Sequence, residues 1–269
     1  MIMKQREPVI HDMSNQFKPP IWAKSPHLQT IFSSIDKISS RKLNFVSEIL
    51  ETPDGDSILI DWAKSKNTYH QNKKPVLIIL HGLEGSSSST YSRVLAEAAI
   101  NEGWDACVIH SRDCGIHRNR LLRRYHAGET NDLKYLIKTI QSNSKKQKTI
   151  ITVGVSLGGN VLLKHLGEMG IFSHIKAAAA ISVPLDLQDS SDRLNIGFSR
   201  IYRYYLIKRM KYRIFQKFPN KTKLFHWNKA KKANTFDKFD EAVTAPLHNF
   251  SNKNDYYQKC SCIRYLNNI

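Results

Sequence analysis

The serine at position 156 is the residue with the clearest potential for chemistry. It lies in Gly154-Val155-Ser156-Leu157-Gly158, directly after an apolar run and directly before a segment with helical spacing. A sharp strand-to-helix turn flanked by small residues strains the backbone and exposes the serine hydroxyl. The unpaired amides and positive dipole end of the following helix suit a developing oxyanion. We therefore predict that Ser156 is a nucleophile; a glycine-rich turn with an incidental serine is the alternative.

A second glycine-rich turn, HGLEG, spans residues 81–85 and closes an earlier apolar run. Such a turn can offer another backbone amide to the same oxyanion. We predict an oxyanion hole formed by the amides of Leu83 and Leu157, with Gly82 permitting the close approach. His81 stands where such folds fix the geometry of this loop, and we assign it a structural role.

A serine hydroxyl needs an adjacent base to accept its proton, and an acid orients that base. His165 follows Ser156 by nine residues on the predicted helix, which places it about 13 Å along the helix axis. That distance puts His165 out of reach. Three other histidines are also poor candidates: His174 in a loop, His226 in the basic segment, and His248, for which the reason is the family resemblance given below.

His126 and Asp132 could be interpreted as a catalytic pair. They lie six residues apart across a junction between a loop and a helix. Thr130 or Asn131 can cap that helix, and Asp132 suits its positive end. We favour the structural interpretation of both residues.

The surrounding sequence alternates apolar runs of strand length with segments of helical period. Strands are predicted over residues 43–50, 57–63, 75–80, 105–111, 149–156 and 175–184, and helices over 92–103, 129–140 and 157–170. The first two strands are predicted to form a hairpin around the turn PDGD, and the alternation beyond them predicts an α/β fold with a mainly parallel sheet. Residues 1–40 are predicted to be an arm packing on the domain, 41–185 the α/β core, and 186–269 a basic helical lid.

Composition limits the other classes of function. The chain has 269 residues, 41% of them hydrophobic, and its opening lacks the apolar core of a signal peptide. No run of about 18 apolar residues occurs, so we expect a cytoplasmic location. The four cysteines show neither metal-ligand nor disulfide spacing, and we expect no metal, cofactor or disulfide. They are Cys107, Cys114, Cys260 and Cys262.

The net charge of +18 is large enough to attract polyanions or anionic lipid surfaces without a specific site. No acidic residue occurs between Asp192 and Asp237, whereas basic and aromatic residues alternate there. One interpretation of residues 200–232 is an interface with an anionic membrane surface. The other is a solvated lid with its aromatic side chains turned inward. Specific nucleic-acid binding is not expected, because no recognition motif accompanies the charge.

Several collinear blocks of this sequence resemble one family. They are PPIWAKSPHLQTIF, HGLEGSSSSTYSR, YHAGETNDL, GVSLGGNVLLKHLGE, VPLDL, FDEAVTAPLHNF and DYY. Together they resemble the YheT-like and ABHD3/EMB8-like α/β hydrolases over nearly the whole chain. The resemblance implies an α/β-hydrolase fold, with helices on both faces of the sheet and a helical lid. It also implies a Ser, Asp, His triad that cleaves carboxylic esters of acyl lipids or small alcohols, with Ser156 as nucleophile. His248 lies in FDEAVTAPLHNF, which matches a structural part of the family pattern and makes it a poor candidate for the base.

The sequence also departs from that family. In the family the triad acid follows the strand after the lid and the histidine follows the last strand, and neither segment is present here. We therefore expect the last strands to be missing and residues 177–183 to form an exposed apolar sheet edge. Asp113, in the loop 111–115, replaces a glycine of the family and removes backbone freedom.

Three hypotheses follow from these departures. The chain is a serine ester hydrolase in shortened form, a non-catalytic protein that binds lipid or a membrane surface, or a fragment without function.

Overall fold

The computed structural model describes residues 18–35, 43–66, 74–144, 146–218 and 222–269. The chain divides into two units, residues 1–39 and 40–269. In the first unit a 3₁₀ turn at Ile21–Ala23 precedes helix α1, Pro26–Ile35. The side-chain amide of Gln29 donates to the Ala23 carbonyl at 2.8 Å. Of the arm predicted over residues 1–40, residues 1–17 and 36–40 lie outside the described ranges.

The second unit contains a six-stranded mixed sheet in the order β1-β2-β4-β3-β5-β6. Its strands are β1 Val46–Glu51, β2 Ser57–Ala63, β3 Val76–Leu80, β4 Asp105–Ile109, β5 Ile150–Val155 and β6 Ala177–Ile181. The β1-β2 and β2-β4 pairs are antiparallel, and the β4-β3, β3-β5 and β5-β6 pairs are parallel. The predicted hairpin and the predicted, mostly parallel sheet are confirmed.

Three helices cover the two faces of this sheet, and the alternation of β3 shows which helix covers which face. The helices are α2 Thr90–Asn101, α3 Asn131–Ser142 and α4 Leu157–Met169. Ile78 packs in one cluster with Leu133 of α3 and Leu162 of α4. Ile79, which points to the opposite face, packs with Ala96 of α2. The predicted arrangement of helices on both faces is therefore confirmed.

Helices alone follow β6 in the described residues, and we keep the name lid for this part of the chain. They are α5 Leu187–Arg193, α6 Ser199–Lys217, α7 Trp227–Lys232, α8 Phe236–Phe239, α9 Ala245–Leu247 and α10 Lys253–Cys260, with a π turn at Asp240–Thr244 and a 3₁₀ segment at Cys262–Asn268. The lid has an apolar core of its own, built from α6, α7, α8 and the π turn. No helix in the described ranges is both long and apolar enough to span a membrane.

The aromatic side chains of the basic segment point in two directions. Phe218 and Phe225 are buried in the lid core, and Phe215 and Trp227 pack against it. The tyrosines of α6 are exposed instead: Tyr204, Tyr205 and Tyr212. One group of aromatic residues is thus turned inward, as the interpretation as a solvated lid expects, and the membrane interpretation of residues 200–232 stays a prediction.

Strand β6 forms one edge of the sheet. It pairs with β5 along its whole length, and all five of its residues are exposed. The predicted exposed apolar edge is confirmed for Ala177–Ile181.

Candidate active site

The turn between β5 and α4 holds Ser156 in a strained conformation. The backbone of Ser156 has φ 53° and ψ −120°, a region that residues with a side chain rarely occupy. Close packing forces this geometry. A Cβ atom on Gly154 would lie 2.5 Å from the carbonyl oxygen of Gly158, and one on Gly158 would lie 2.4 Å from that of Leu80. The small residues predicted beside the serine are therefore required by the approach of neighbouring backbone.

The glycine-rich turn at residues 81–85 lies beside the serine. A Cβ on Gly82 would be only 3.3 Å from the Cβ of Ser156. The amides of Leu83 and Leu157 donate to no protein acceptor within the described ranges, whereas the amide of Glu84 donates to the Tyr125 hydroxyl at 3.0 Å. Two unpaired amides thus flank the nucleophile candidate, as an oxyanion hole requires.

Glu84 connects this turn to the lid and to the loop before α3. The residue is buried and has a positive φ of 56°. Its Oε1 accepts hydrogen bonds from Arg124 at 2.8 Å and from the Tyr125 hydroxyl at 3.0 Å. Its carbonyl accepts from Arg209 of α6 at 2.9 Å, and its Oε2 lies 3.6 Å from Nε of Arg213. These contacts fix the backbone next to the Leu83 amide.

His81 has the structural environment that we expected for it. Its Nδ1 donates to the Gly82 carbonyl at 2.7 Å, and its Nε2 accepts from the Ser111 amide at 3.1 Å. Burial lowers the pKa of His81 to about 4. Both ring nitrogens are therefore occupied in holding two loops, and neither is free to serve as a base.

A cavity of about 170 Å³ opens beside Ser156 and lies under the lid. Leu83 and Leu157 line it together with Ser156. Most of its remaining wall is apolar and comes from the lid, including Leu187, Leu194, Leu206, Met210, Phe239 and Val243. The arrangement places a hydroxyl and two free amides at the wall of an apolar chamber.

Two histidines also line this cavity, although the sequence favoured a structural role for His126 and made His248 a poor candidate. The rings of His126 and His248 lie 4.6 Å apart between centroids. Nδ1 of His126 accepts from the Gly128 amide at 3.1 Å, so its proton is on Nε2, which lies 3.9 Å from Oε2 of Glu129. Burial lowers the pKa of His126 to about 3 and that of His248 to about 2. Both rings are neutral near pH 7 and are weak bases.

The remaining candidates lie away from the serine. His165 is buried without a partner for either ring nitrogen among the described residues, at a cavity on the outer side of α3 and α4. Asp132 accepts two hydrogen bonds from Arg112, at 2.9 and 2.7 Å. Thr130 does not cap α3 with its side chain; its hydroxyl donates to Glu168 at 2.6 Å. Asp113 adopts φ 63° despite its side chain.

Asp240 is a second polar group of the cavity wall that the sequence did not indicate. It lies in the π turn and accepts from the hydroxyls of Thr244 at 2.6 Å and Tyr257 at 2.8 Å. Burial raises the pKa of Asp240 to about 6. The block FDEAVTAPLHNF contains both Asp240 and His248, but its spacing alone gave no reason to place either beside the serine.

Comparison with known proteins gives the family. Residues 75–248 match a family model described as the alpha/beta hydrolase fold. The YheT protein of Escherichia coli (strain K12) is 35% identical over 95% of this chain and 75% of that protein. The phospholipase ABHD3 of Bos taurus is 26% identical over 96% of this chain and 63% of that protein. The monoacylglycerol lipase of Saccharomyces cerevisiae is 29% identical over 73% of this chain and 45% of that protein. The chain therefore belongs to the α/β-hydrolase family and is related to YheT and ABHD3.

Proposed function

We propose that this chain is a hydrolase of carboxylic esters that uses Ser156 as its nucleophile. The observation that carries the proposal is the strained serine between two unpaired amides at the wall of an apolar cavity. A structural turn has no need of that combination, because backbone strain costs roughly 1–3 kcal/mol and persists where function requires it.

The chemistry follows from the geometry. Oγ of Ser156 attacks the carbonyl carbon of the ester, and the carbonyl oxygen becomes an oxyanion that accepts from the amides of Leu83 and Leu157. Collapse of this intermediate expels the alcohol and leaves an acyl group on Oγ, which water then removes. The Oγ proton must pass to a base and from it to the leaving alcohol. In the part of the chain that the structure describes, no histidine is hydrogen-bonded to Ser156.

The cavity suggests a substrate with a short acyl group. An apolar cavity of about 150 Å³ accommodates a molecule the size of benzene, and the cavity here is about 170 Å³. Its apolar wall favours hydrocarbon over a charged group. Two relatives are named a phospholipase and a monoacylglycerol lipase, which supports an acyl ester as the substrate class. We expect esters with about four to six acyl carbons to fit best.

Hydrolysis of p-nitrophenyl esters by the parent protein and by Ser156→Ala tests the proposal. The parent should hydrolyse butyryl and hexanoyl esters faster than palmitoyl esters, and Ser156→Ala should lose this activity. A residual rate about 10³ to 10⁴ above that of water can come from an oxyanion hole and binding alone. The comparison with the mutant is therefore decisive, and equal rates would contradict Ser156 as nucleophile.

Acyl-lipid binding without turnover is a second candidate function. It is favoured by the low pKa of the two cavity histidines, which makes them poor proton acceptors. Displacement of a fluorescent fatty acid by short fatty acids measures it directly. Val243→Phe, which would fill the cavity, should abolish binding, whereas Ser156→Ala should bind as the parent does. Binding that survives Val243→Phe would exclude this cavity as the site.

A further inference from the structure

Helix α6 turns a stripe of large side chains away from the lid core. Ile201, Tyr204, Tyr205 and Tyr212 are 56% to 67% exposed. Successive residues of a helix are rotated by about 100°, so these four and the exposed Lys208 fall within one arc of about 100°. We call these five residues the outer face of α6. A lone exposed apolar residue is ordinary, but a contiguous stripe of them marks an interaction surface.

The opposite side of the same helix faces the cavity. Ile207, Met210 and Ile214 are buried in the lid core, and the last two line the cavity beside Ser156. Helix α6 therefore separates the candidate acyl site from the outer face. Whatever binds the outer face lies one helix diameter, about 10 Å, from that site.

Positive charge on and beside the outer face is not neutralised. Lys208 belongs to the outer face, and Arg200 lies on the same helix about 12 Å away along its axis. Both are exposed, and neither forms an ion pair with a described residue. Other basic side chains of α6 have partners: Arg209 and Arg213 bind the turn that contains Glu84, and Lys217 forms an ion pair. The charge at the outer face is thus available to an external partner.

We propose that the outer face of α6 docks on the surface of an anionic lipid bilayer. Tyrosine has an apolar ring and a polar hydroxyl, which suit the boundary between headgroups and acyl chains. Arg200 and Lys208 would contact lipid phosphates, and each such residue contributes about fivefold in affinity near an anionic leaflet. This docking does not depend on turnover at Ser156, so it can be tested separately from the proposed hydrolase activity.

Two other partners fit the surface less well. A second copy of the chain, docked face to face, would place the positive charges of Lys208 and Arg200 from both copies in one contact, and like charges oppose such a contact. Single-stranded nucleic acid could stack on the tyrosines, but Ile201 at the N-terminal end of the stripe is aliphatic and offers no stacking surface. A bilayer accepts both the aliphatic and the aromatic members.

Cosedimentation of the full chain with vesicles tests the proposal. We expect binding to vesicles of phosphatidylcholine mixed with phosphatidylglycerol, weak binding to phosphatidylcholine alone, and weaker binding at higher salt. Arg200→Gln/Lys208→Gln should lower the affinity about thirty-fold. The matched control, Lys134→Gln/Lys138→Gln, removes the same charge from the exposed side of α3 and should bind nearly as the parent does.

A second variant tests the aromatic part of the surface. Tyr204→Ser/Tyr212→Ser keeps every charge and replaces exposed side chains, so it should fold as the parent does and bind the mixed vesicles at least tenfold more weakly. Equal loss in the Lys134/Lys138 control would show that net charge alone drives binding and would overturn the proposal. So would binding that ignores lipid charge, a dimer that the tyrosine variant disrupts, or tighter binding to a single-stranded oligonucleotide through the same residues.

Discussion

Ser156 shows how a backbone conformation can point to function more directly than a contact does. Its φ of 53° is unfavourable for any residue with a side chain, and its hydroxyl has no partner among the described residues. The strain is maintained by the close approach of Gly154 and Gly158 to neighbouring carbonyls. The amide of Ser156 donates to the Ile181 carbonyl at 2.8 Å, but its hydroxyl gains no hydrogen bond from this conformation. The strain is therefore explained by the exposed position that it gives to Oγ.

This strain has a measurable consequence for stability. Glycine adopts positive φ at little cost, so Ser156→Gly should relieve the strain that Ser156→Ala retains. Relief of roughly 1–3 kcal/mol exceeds the extra entropy of glycine in the unfolded chain, about 0.4–1 kcal/mol. We expect Ser156→Gly to be more stable than Ser156→Ala by about 1 kcal/mol in urea denaturation.

A helical serine provides the control for that comparison. Ser92 is buried within α2, where glycine is less favourable than alanine by about 1 kcal/mol. The order of stability should therefore be reversed for Ser92→Gly and Ser92→Ala. If the glycine variant were less stable than the alanine variant at both positions, the backbone strain at Ser156 would not measurably lower the free energy of unfolding.

At the scale of residues, the sequence could predict features that adjacent residues define, but not contacts between segments that are distant in the chain. The turn around Ser156 was predictable because five adjacent residues define it. His248 was not, because it meets His126 only after the lid has folded over the sheet, and the two are separated by 122 positions in the chain. Glu84 stood in a block that the sequence singled out, but the arginines that hold it come from two other segments.

At the scale of elements, the contact between α6 and the turn at residues 81–85 connects the lid to the candidate oxyanion hole. Arg209 donates to the carbonyl of Glu84, one residue after Leu83. Removing this bond should leave the lid folded, since the core side of α6 is apolar, but it should loosen the turn.

Hydrogen exchange measures that loosening without requiring activity. We expect Arg209→Gln to accelerate amide exchange in residues 82–85 about tenfold, which corresponds to about 1.4 kcal/mol, the range of a hydrogen bond from a charged donor. Arg203→Gln is the matched control, because Arg203 lies on the same helix and binds Asn195 instead. Unchanged exchange in Arg209→Gln would mean that Tyr125 and Arg124 hold the turn without help from the lid.

The exposed edge at β6 is an aggregation hazard that can be reduced. An apolar edge strand offers unpaired backbone groups to another chain, and lysine on such a strand discourages pairing. Ala178→Lys should therefore raise the protein concentration at which light scattering begins. Asn101→Lys, on the exposed end of α2, adds the same charge elsewhere and should change little. Equal protection by both variants would attribute the effect to net charge.

The elements themselves were largely predictable, because the apolar periodicity of each strand and helix is a local property. All six strands and the three sheet-facing helices formed where the pattern predicted them. The direction of the lid aromatics was not predictable in the same way. Helix α6 has apolar or aromatic side chains on both sides, so its period did not distinguish the buried Ile207 and Ile214 from the exposed Tyr204 and Tyr212.

At the scale of the described molecule, several buried histidines stay neutral although the protein carries a large positive charge. Burial lowers the pKa of four of them: His81 to about 4, His126 to about 3, His165 to about 4 and His248 to about 2. Two of these line the cavity beside Ser156 and one supports the turn next to it. The candidate site and the stability of the protein thus depend on the same protonation states.

Acid should unfold the protein under mild conditions for this reason. The unfolded chain binds a proton at each histidine below about pH 6.5, whereas the native pKa values are lower, so stability is complete above that pH and falls as the pH falls. At about pH 4.5 each of the four histidines lowers the free energy of unfolding by about 2.5 kcal/mol, and together they lower it by about 10 kcal/mol. Asp240, whose native pKa is raised to about 6, opposes this by about 2–3 kcal/mol as it is protonated. The net loss of stability is comparable to a typical free energy of unfolding, about 5–15 kcal/mol.

We expect unfolding between about pH 4 and 5, followed by tryptophan fluorescence. His165→Leu tests the cause, because this ring is buried without a hydrogen-bond partner among the described residues and lies away from Ser156. With one buried histidine fewer, the acid midpoint should fall by about half a pH unit. His226→Gln removes an exposed histidine and should leave the midpoint in place. If His165→Leu left the acid midpoint unchanged, acid unfolding would instead be attributed to repulsion among the many positive charges.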